Sequence, residues 1–324
     1  MPKENWEDNR SFSERVPRLQ VAVDSTSLGA FKRCPRFYYY SIVQGWTGTS
    51  VKVDLAFGIA AHRGLELFHK LRAKGLDYES SVQLVVTTSM IETWDSEAQA
   101  PRFDDAQKNR LSLTRLLVEY LDRYEAEGIG PRTLILPSGA PAVELSFAFD
   151  SGLAGPEPVL LCGHIDRLVE INSEIYVSDL KTTRSALGSR YADQFSPDNQ
   201  FSLYSIAGRI AFKQAVRGIL LDAAQVGTTF VRLARFPIPR PAPVLDEWLQ
   251  GFVYWYGRMR GCAEEADQVP EVEAAFAWPQ NDAACSLYGG CAFREICSRS
   301  PASRQRILEA NWTLRHWDPV GEPR

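Results

Sequence analysis

From Leu55 to about Glu127, apolar residues recur every three or four positions, the pattern of helices with one buried face. The clearest runs are LAFGIAAHRGLELFHKLRAKG and LSLTRLLVEYLDRYEAEG, and each closes on a glycine that can take a left-handed stop. SSVQLVVTTSMIETW, between them, predicts a third helix. Upstream, residues 25–45 begin with Ser25 and Thr26 as capping candidates, and Pro35 predicts two short helices or one kinked helix. Residues 1–20 are charged and lack periodicity, so they read as a tail or a loose first helix.

Near residue 143 the period changes from 3.6 to 2. In AVELSFAFD, Val143, Leu145, Phe147 and Phe149 alternate with Glu144, Ser146 and Ala148, which predicts a half-buried strand. VLLCGHIDRLVEI, Asn172-Ser173 and EIYVSDLK follow, so three consecutive antiparallel strands are expected. After them come a helix over about 198–214, strand-like GILLDAAQV and TTFVRLARF, the Pro-rich link PIPRPAP and a long helix over about 245–265. Residues 301–324 read as an appendage, and no internal repeat is visible.

Composition narrows the classes. With 324 residues, 45% hydrophobic and 11% aromatic, the chain can bury a sizeable core, which excludes wholesale disorder. No run of 18 residues lacks a charge, so no transmembrane helix is expected. The opening Met-Pro-Lys-Glu-Asn-Trp-Glu-Asp has no apolar core of a signal peptide, and a cytoplasmic location is expected. Thirty-six basic against forty acidic residues give −4, which argues against a polycationic nucleic-acid coater. A local basic groove, or contact through metal ions, remains compatible. No G-x-x-x-x-G-K-[ST] occurs, so an ATPase motor is not expected.

The main constellation is Asp166, Asp179 and Lys181. Asp179 and Lys181 are two apart and share a strand face. With a two-residue loop at Asn172-Ser173, residue i pairs with 345 − i, and Asp166 faces Asp179. A three-residue loop would put them on opposite faces. Two adjacent carboxylates repel unless a divalent cation lies between them, and Mg²⁺ or Mn²⁺ suits such oxygens. A nearby lysine can stabilise charge developing on a phosphate, so the implied chemistry is attack of metal-activated water on a phosphodiester. The alternative is a surface salt bridge, since Asp-x-Lys is common. Gln200 and Tyr204 are i, i+4 on the following helix, and His62 has Glu66 one turn on. Each of these has a structural alternative as a core or helix-edge residue.

Taken in order, these residues resemble the PD-(D/E)XK nuclease superfamily, in particular its RecB-like branch, which includes CRISPR-associated exonucleases. The resemblance runs from about Ser25 to Cys297. It comprises Cys-Pro-Arg-Phe-Tyr-Tyr at Cys34, Gly58-x-x-x-His62, Gly163-x-x-Asp166, Asp179-x-Lys181, Gln200-x-x-x-Tyr204 and terminal cysteines. It implies an α/β fold: a restriction-endonuclease-like core with a mixed central sheet flanked by helices, an N-terminal helical region and an iron–sulfur clasp. It implies that His62, Asp166, Asp179 and the Leu180 carbonyl hold Mg²⁺ or Mn²⁺. Lys181 would be the catalytic lysine, and Gln200 and Tyr204 would position the substrate strand. Glu144 matches an acidic residue sometimes found on the first core strand, although an outward Glu on an amphipathic strand is usually just solvated.

Cys285, Cys291 and Cys297 fall within thirteen residues, and x5 spacings are too wide for most zinc ribbons. Cys34 matches the family's first cluster ligand, and four thiolates from opposite ends of the chain suit a [4Fe–4S] cluster. Zinc and plain buried thiols are the alternatives. The first gap, Ser-Leu-Tyr-Gly-Gly, is longer than the two residues common in this branch. Cys162 and Cys262 read as packing residues. Lys32, Arg33 and Arg36, beside Phe37 to Tyr40, are candidates for gripping single-stranded DNA, with core around the cluster as the alternative. Arg184, Arg190, Arg232 and Arg235 are further backbone candidates.

The expected protein is thus a Mg/Mn-dependent deoxyribonuclease, an exonuclease more than an endonuclease. It would act on DNA ends or single strands in recombination, repair, phage DNA metabolism or CRISPR adaptation. The alternative is a catalytically weak DNA-binding subunit of a nuclease–helicase complex. Partners would be DNA and a helicase or recombination protein, with no membrane. The expected division is a tail over 1–24, one nuclease domain over 25–300 (helical to 130, sheet core 140–240, C-terminal helix and cysteines 244–300) and an appendage over 301–324.

Overall fold

The structure, a computed structural model, describes residues 4–48, 52–126, 130–212 and 216–321. Its helices are α1 Ser25–Arg33, α2 Pro35–Tyr38, α3 Val53–Ala73, α4 Tyr78–Glu92, α5 Arg110–Tyr124, α6 Ser189–Asp193, α7 Asn199–Phe212, α8 Ala242–Asp267, α9 Arg294–Cys297 and α10 Pro301–Asn311. Its strands are β1 Ala22–Val23, β2 Trp46–Gly48, β3 Trp94–Asp95, β4 Ala100–Pro101, β5 Arg132–Thr133, β6 Val143–Asp150, β7 Leu160–Ile171, β8 Glu174–Thr183, β9 Val216–Val226, β10 Val231–Pro239 and β11 Trp312–Leu314. The helix and strand runs expected from periodicity are all present. One predicted helix stop, Gly128, lies outside the described residues, as do residues 213 and 214 of the expected 198–214 helix.

The chain divides into two compact units. One comprises Val51–Leu145 and His164–Leu245. Here a mixed sheet forms: β7 is antiparallel to β8, β8 is parallel to β9, and β9 is antiparallel to β10. α3, α4 and α5 flank it and share a core with it, in which Phe57, Leu65, Leu117 and Tyr120 meet Leu180 and Val226. The helices start where the sequence offers caps: Asp77 accepts from Ser80 N at 2.8 Å, and Asn109 and Ser112 form a reciprocal capping box. Gly64 is required by packing, since a Cβ there would lie 2.7 Å from Leu117 Cδ2.

One boundary differs from the sequence reading. Pro237 and Pro239 are not a link but the end of β10, paired with Leu220 and Gly218. β10 ends the strand order, so prolines without an N–H are tolerated there. α8 correspondingly begins at Ala242.

The other unit comprises Met1–Ser50, Ser146–Gly163 and Asp246–Arg324. Residues 4–21 form turns rather than a helix. Asn5 is buried and brackets Trp317, donating to its carbonyl at 3.3 Å and accepting from its N–H at 2.9 Å. β2 pairs with β11, and β1 runs parallel to Leu160–Leu161. Pro35 splits the opening helix as expected: α1 ends at Arg33, α2 begins at Pro35, and a π-helical turn follows over Tyr39–Val43. Among the described residues no helix is long and apolar enough to cross a membrane.

Candidate active site

Strand register builds this site. β7 and β8 pair from Arg167↔Ser178 to Ile171↔Glu174, so residue i faces 345 − i. Asn172 and Ser173 both take positive φ, 49° and 63°, as a two-residue type I′ turn requires. Extended by one step, this register faces Asp166 with Asp179, and each carboxyl affects the other's ionisation. The two-residue loop is therefore the one the chain uses.

α3 brings His62 to these carboxylates. His62 Nδ1 lies 3.1 Å from Asp166 Oδ2, and Nε2 lies 2.8 Å from the Leu180 carbonyl oxygen. Burial disfavours charge on His62, but the Asp166 carboxylate, with Asp179 behind it, lifts its pKa to about 9. The ring is thus a cation that donates to Leu180 O and faces Asp166. Burial opposes ionisation of Asp166 as well, yet His62 and then Lys181 hold it at about 2. Asp179 is pushed up to about 7, chiefly by burial, with Lys181 opposing and Asp166 adding to the rise.

On the other side of Asp179 a hydrogen-bonded chain begins. Lys181 Nζ donates to Asp179 Oδ1 and to Gln200 Oε1, both at 2.9 Å, and Gln200 Nε2 donates to Tyr204 OH at 3.0 Å. Burial works against the Lys181 ammonium, but Asp179 and Asp166 outweigh it and raise its pKa. The i, i+4 spacing on α7 places Gln200 and Tyr204 on one face, as expected.

The donor set fits a divalent cation. Asp166 Oδ2 and Asp179 Oδ2 are buried and accept no hydrogen bond of good geometry, although each has a cation at ion-pair distance. Buried carboxylate oxygens in that state favour a cation. Atoms of His62, Glu144 and Asp166 that can ligate a metal lie within 4.8 Å of one another. They line a cavity of about 30 Å³, shared with Glu66 and Ser178. His62, Asp166 and Leu180 O thus meet as the resemblance implied, while Asp179 turns to Lys181. Alternation points Glu144 outward, while the family resemblance matches it to an acidic residue on the first core strand. Glu144 takes φ 49°, which breaks the alternation and turns it to His62 and Asp166. Alternation alone carries no signal of that.

The basic candidates separate. Arg184 is engaged by Asp54 at 3.1 Å and Asp105 at 2.8 Å. Arg235 grips Asp222 through two hydrogen bonds, 2.6 and 2.9 Å, and lies over Tyr124, so it serves packing. Arg232 lies over Phe230, and Arg190 is exposed on α6. In the other unit, Tyr38, Tyr39 and Tyr40 are buried and Arg36 donates to the Trp278 carbonyl at 2.7 Å, so this aromatic run is core. Lys32 and Arg33 lie over Trp255 and Phe37.

The four cysteines proposed as ligands belong to that same unit. Cys34 separates α1 from α2 and accepts from Asn281 N at 3.3 Å. Cys291 N donates to Cys285 O at 3.0 Å, and Gly290 between them takes φ 108°. Burial raises the Cys297 thiol, Arg36 and Arg304 oppose this, and Cys291 and Cys34 add to it, so those thiols are neighbours. Among the described residues no group of three cysteine sulfurs lies within 4.8 Å of one another. Cys162 is buried in β7 and Cys262 lies on α8.

No curated protein matches the chain. Among solved structures, a Eubacterium rectale protein named a "Putative exonuclease" is similar at 11% identity. The match covers 74% of this chain and 81% of that one, with a TM-score of 0.43. The model of the PD-(D/E)XK nuclease superfamily matches residues 25–298, which include the hairpin carboxylates, Lys181, His62 and all six cysteines, and the chain belongs to that superfamily.

Proposed function

We propose that the protein is a Mg²⁺- or Mn²⁺-dependent DNA exonuclease of the RecB-like branch, with residues 25–300 acting as one nuclease domain. The observation that carries this reading is the unbroken run of contacts from Leu180 O through His62, Asp166, Asp179, Lys181 and Gln200 to Tyr204. His62, Asp166, Glu144 and Leu180 O would hold the metal, with Asp179 at its edge. When bound, the ion polarises the scissile phosphate and eases loss of a proton from attacking water. Lys181 stands where it neutralises charge growing on the phosphate oxygens. Gln200 fixes the lysine's direction, and Tyr204 fixes Gln200.

Cys34, Cys285, Cys291 and Cys297 would hold a [4Fe–4S] cluster as a clasp. A reducing compartment such as the cytoplasm suits thiolates kept free for iron. Work in recombination, repair, phage DNA metabolism or CRISPR adaptation, with a helicase or recombination partner, is consistent with the branch. The intact lysine network weighs against a catalytically weak subunit.

The test is an assay of cluster-loaded protein on 5′- and 3′-labelled single and double strands with Mg²⁺ or Mn²⁺. Progressive shortening from one end is expected. Absence of cleavage with either ion overturns the nuclease, and internal cuts in circular DNA overturn the exonuclease.

A further inference from the structure

Behind the metal-site residues lies a second set of buried polar side chains. Arg167 directly follows Asp166 in β7, is buried, and shares its guanidinium among three partners. Its Nη1 donates to Glu125 Oε1 and to His69 Nε2, both at 2.7 Å. Its Nη2 donates to Ser178 Oγ at 3.3 Å, and Ser178 directly precedes Asp179. Burial, with Arg167 adding to it, holds His69 well below the ordinary imidazole range, so its ring is neutral and Nε2 accepts. Nδ1 then faces Thr133 Oγ1 at 3.4 Å. His69, Arg167 and Ser178 line the same cavity of about 30 Å³ as His62, Glu144 and Asp166.

Stability is a weak reason to keep such a set, because exchanging a buried ion pair for apolar side chains of similar volume is often neutral or stabilising. Its position is the stronger reason. Arg167 after Asp166 and Ser178 before Asp179 flank the carboxylate pair, and one guanidinium ties them together. His62 and His69 are seven residues apart, two turns of α3, so they lie on one side of the helix. One reaches Asp166 and the other Arg167, consecutive residues of β7. Both ring nitrogens of His62 are engaged, by Asp166 and by Leu180 O, so ligation of an ion at either gives up one of those contacts. His69 keeps its hold on β7 whichever is given up. Glu125, at the end of α5, fixes the arginine from a third element. We propose that Arg167, with His69 and Glu125, is a positioning residue of the metal site, holding α3 and the hairpin carboxylates at ligating distance. This rests on the metal-dependent reading above and deepens it by naming residues that set the site's affinity for its ion.

The experiment measures Mn²⁺ binding by isothermal titration calorimetry and metal-free melting by circular dichroism. H69L/E125L/R167M should melt at or above the wild-type temperature yet bind Mn²⁺ about 10- to 100-fold more weakly. Its cleavage of labelled DNA should fall at low Mn²⁺ and recover when Mn²⁺ is raised, because the ligands themselves remain. His69→Gln keeps an acceptor for Arg167 and should bind Mn²⁺ within about threefold of wild type, whereas His69→Leu should lose roughly tenfold. Wild-type Mn²⁺ affinity in the triple variant, or equal affinities in the two His69 variants, overturns the proposal. A triple variant that melts lower, or does not fold, leaves the decision to the His69 pair.

If wild type binds Mn²⁺ and cleaves no DNA, the nuclease reading fails separately, and the affinities still decide the positioning role. If wild type binds no Mn²⁺, the positioning role falls with the metal site.

Discussion

The two units hold their candidate chemistry by different means. In one, His62 stands 3.1 Å from Asp166 Oδ2 and 2.8 Å from Leu180 O, with an imidazolium in the midst of the proposed ligands. In the other, burial raises the Cys297 thiol's pKa, and Cys291 and Cys34 lie near enough to add to the rise. The difference follows from what holds each set. Asp166 and Asp179 are fixed by a hairpin whose turn and ladder are set by the backbone. Cys34 is about 250 residues from the others, and the fold brings the two ends together through contacts such as Asn281 N to the Cys34 sulfur at 3.3 Å and Arg36 to the Trp278 carbonyl at 2.7 Å.

The strongest way to break this comparison is at Lys181. Lys181→Ala should reduce cleavage by about a thousandfold, the scale of losing one donor aimed at developing charge. Circular dichroism should remain native, because Lys181 lies near the end of β8 with its side chain partly exposed. Cleavage within tenfold of wild type would remove Lys181 from the chemistry. For the cysteines the effect should fall on stability instead. Cys297→Ser should lose iron and sulfide on analysis. Trypsin should then cut near residues 285–314, and unfolding of that unit should become easier by several kcal/mol, roughly. A colourless wild-type protein containing one zinc would reverse the assignment.

How far the sequence reveals these sites depends on the range of the interaction that sets them. The Asp166/Asp179 pairing follows from a two-residue turn, a local feature, and Gln200/Tyr204 from helical spacing. Glu144 is different. Its left-handed backbone depends on the bend after Pro141, whose carbonyl accepts from Val143 N at 2.9 Å, and alternation points it outward. Arg235 likewise reads as a free cation until β9 sets Asp222 beside it, a pairing made by register between strands. The N-terminal segment has no period because it is held by side chain-to-backbone bonds, such as those of Asn5 to Trp317, which leave no trace in hydrophobic patterning.

An intermediate effect is expected at Glu144. Glu144→Gln should weaken Mn²⁺ binding by 10- to 100-fold, roughly as for other groups supporting a metal site. The pH dependence sharpens this. His62 is raised from 6.5 to about 9, so its stabilisation of the metal-free fold is complete below pH 6.5 and lost as pH rises through 9. Asp179, raised from 3.8 to about 7, loses its contribution as pH climbs from about 4 through 7. Asp166, held near 2, contributes above its ordinary value and loses this only as pH falls toward 2. The metal-free protein should therefore melt at lower temperature as pH rises from 6 to 9. Mn²⁺ needs a deprotonated Asp179 and a neutral His62, so the stabilisation it adds should grow over the same interval. A Mn²⁺ effect on Tm that is flat with pH would mean these groups do not meet the ion.

The smallest effect tests the turn on which the whole register depends. Ser173 holds φ 63°, a conformation that costs a non-glycine residue about 1 kcal/mol. Ser173→Gly removes that cost but adds freedom to the unfolded chain, which recovers part of it. The net expectation is a gain of about 0.5 kcal/mol in urea unfolding, with cleavage unchanged because Asp166 still faces Asp179. Inserting one glycine after Ser173 makes the decisive contrast. The loop then has three residues, and a one-residue slip would carry Asp179 and Lys181 to the opposite face of the sheet. That variant should lose cleavage as completely as Lys181→Ala while adding no charge and deleting no ligand. If it keeps full activity, something other than the β7–β8 turn holds the carboxylates together.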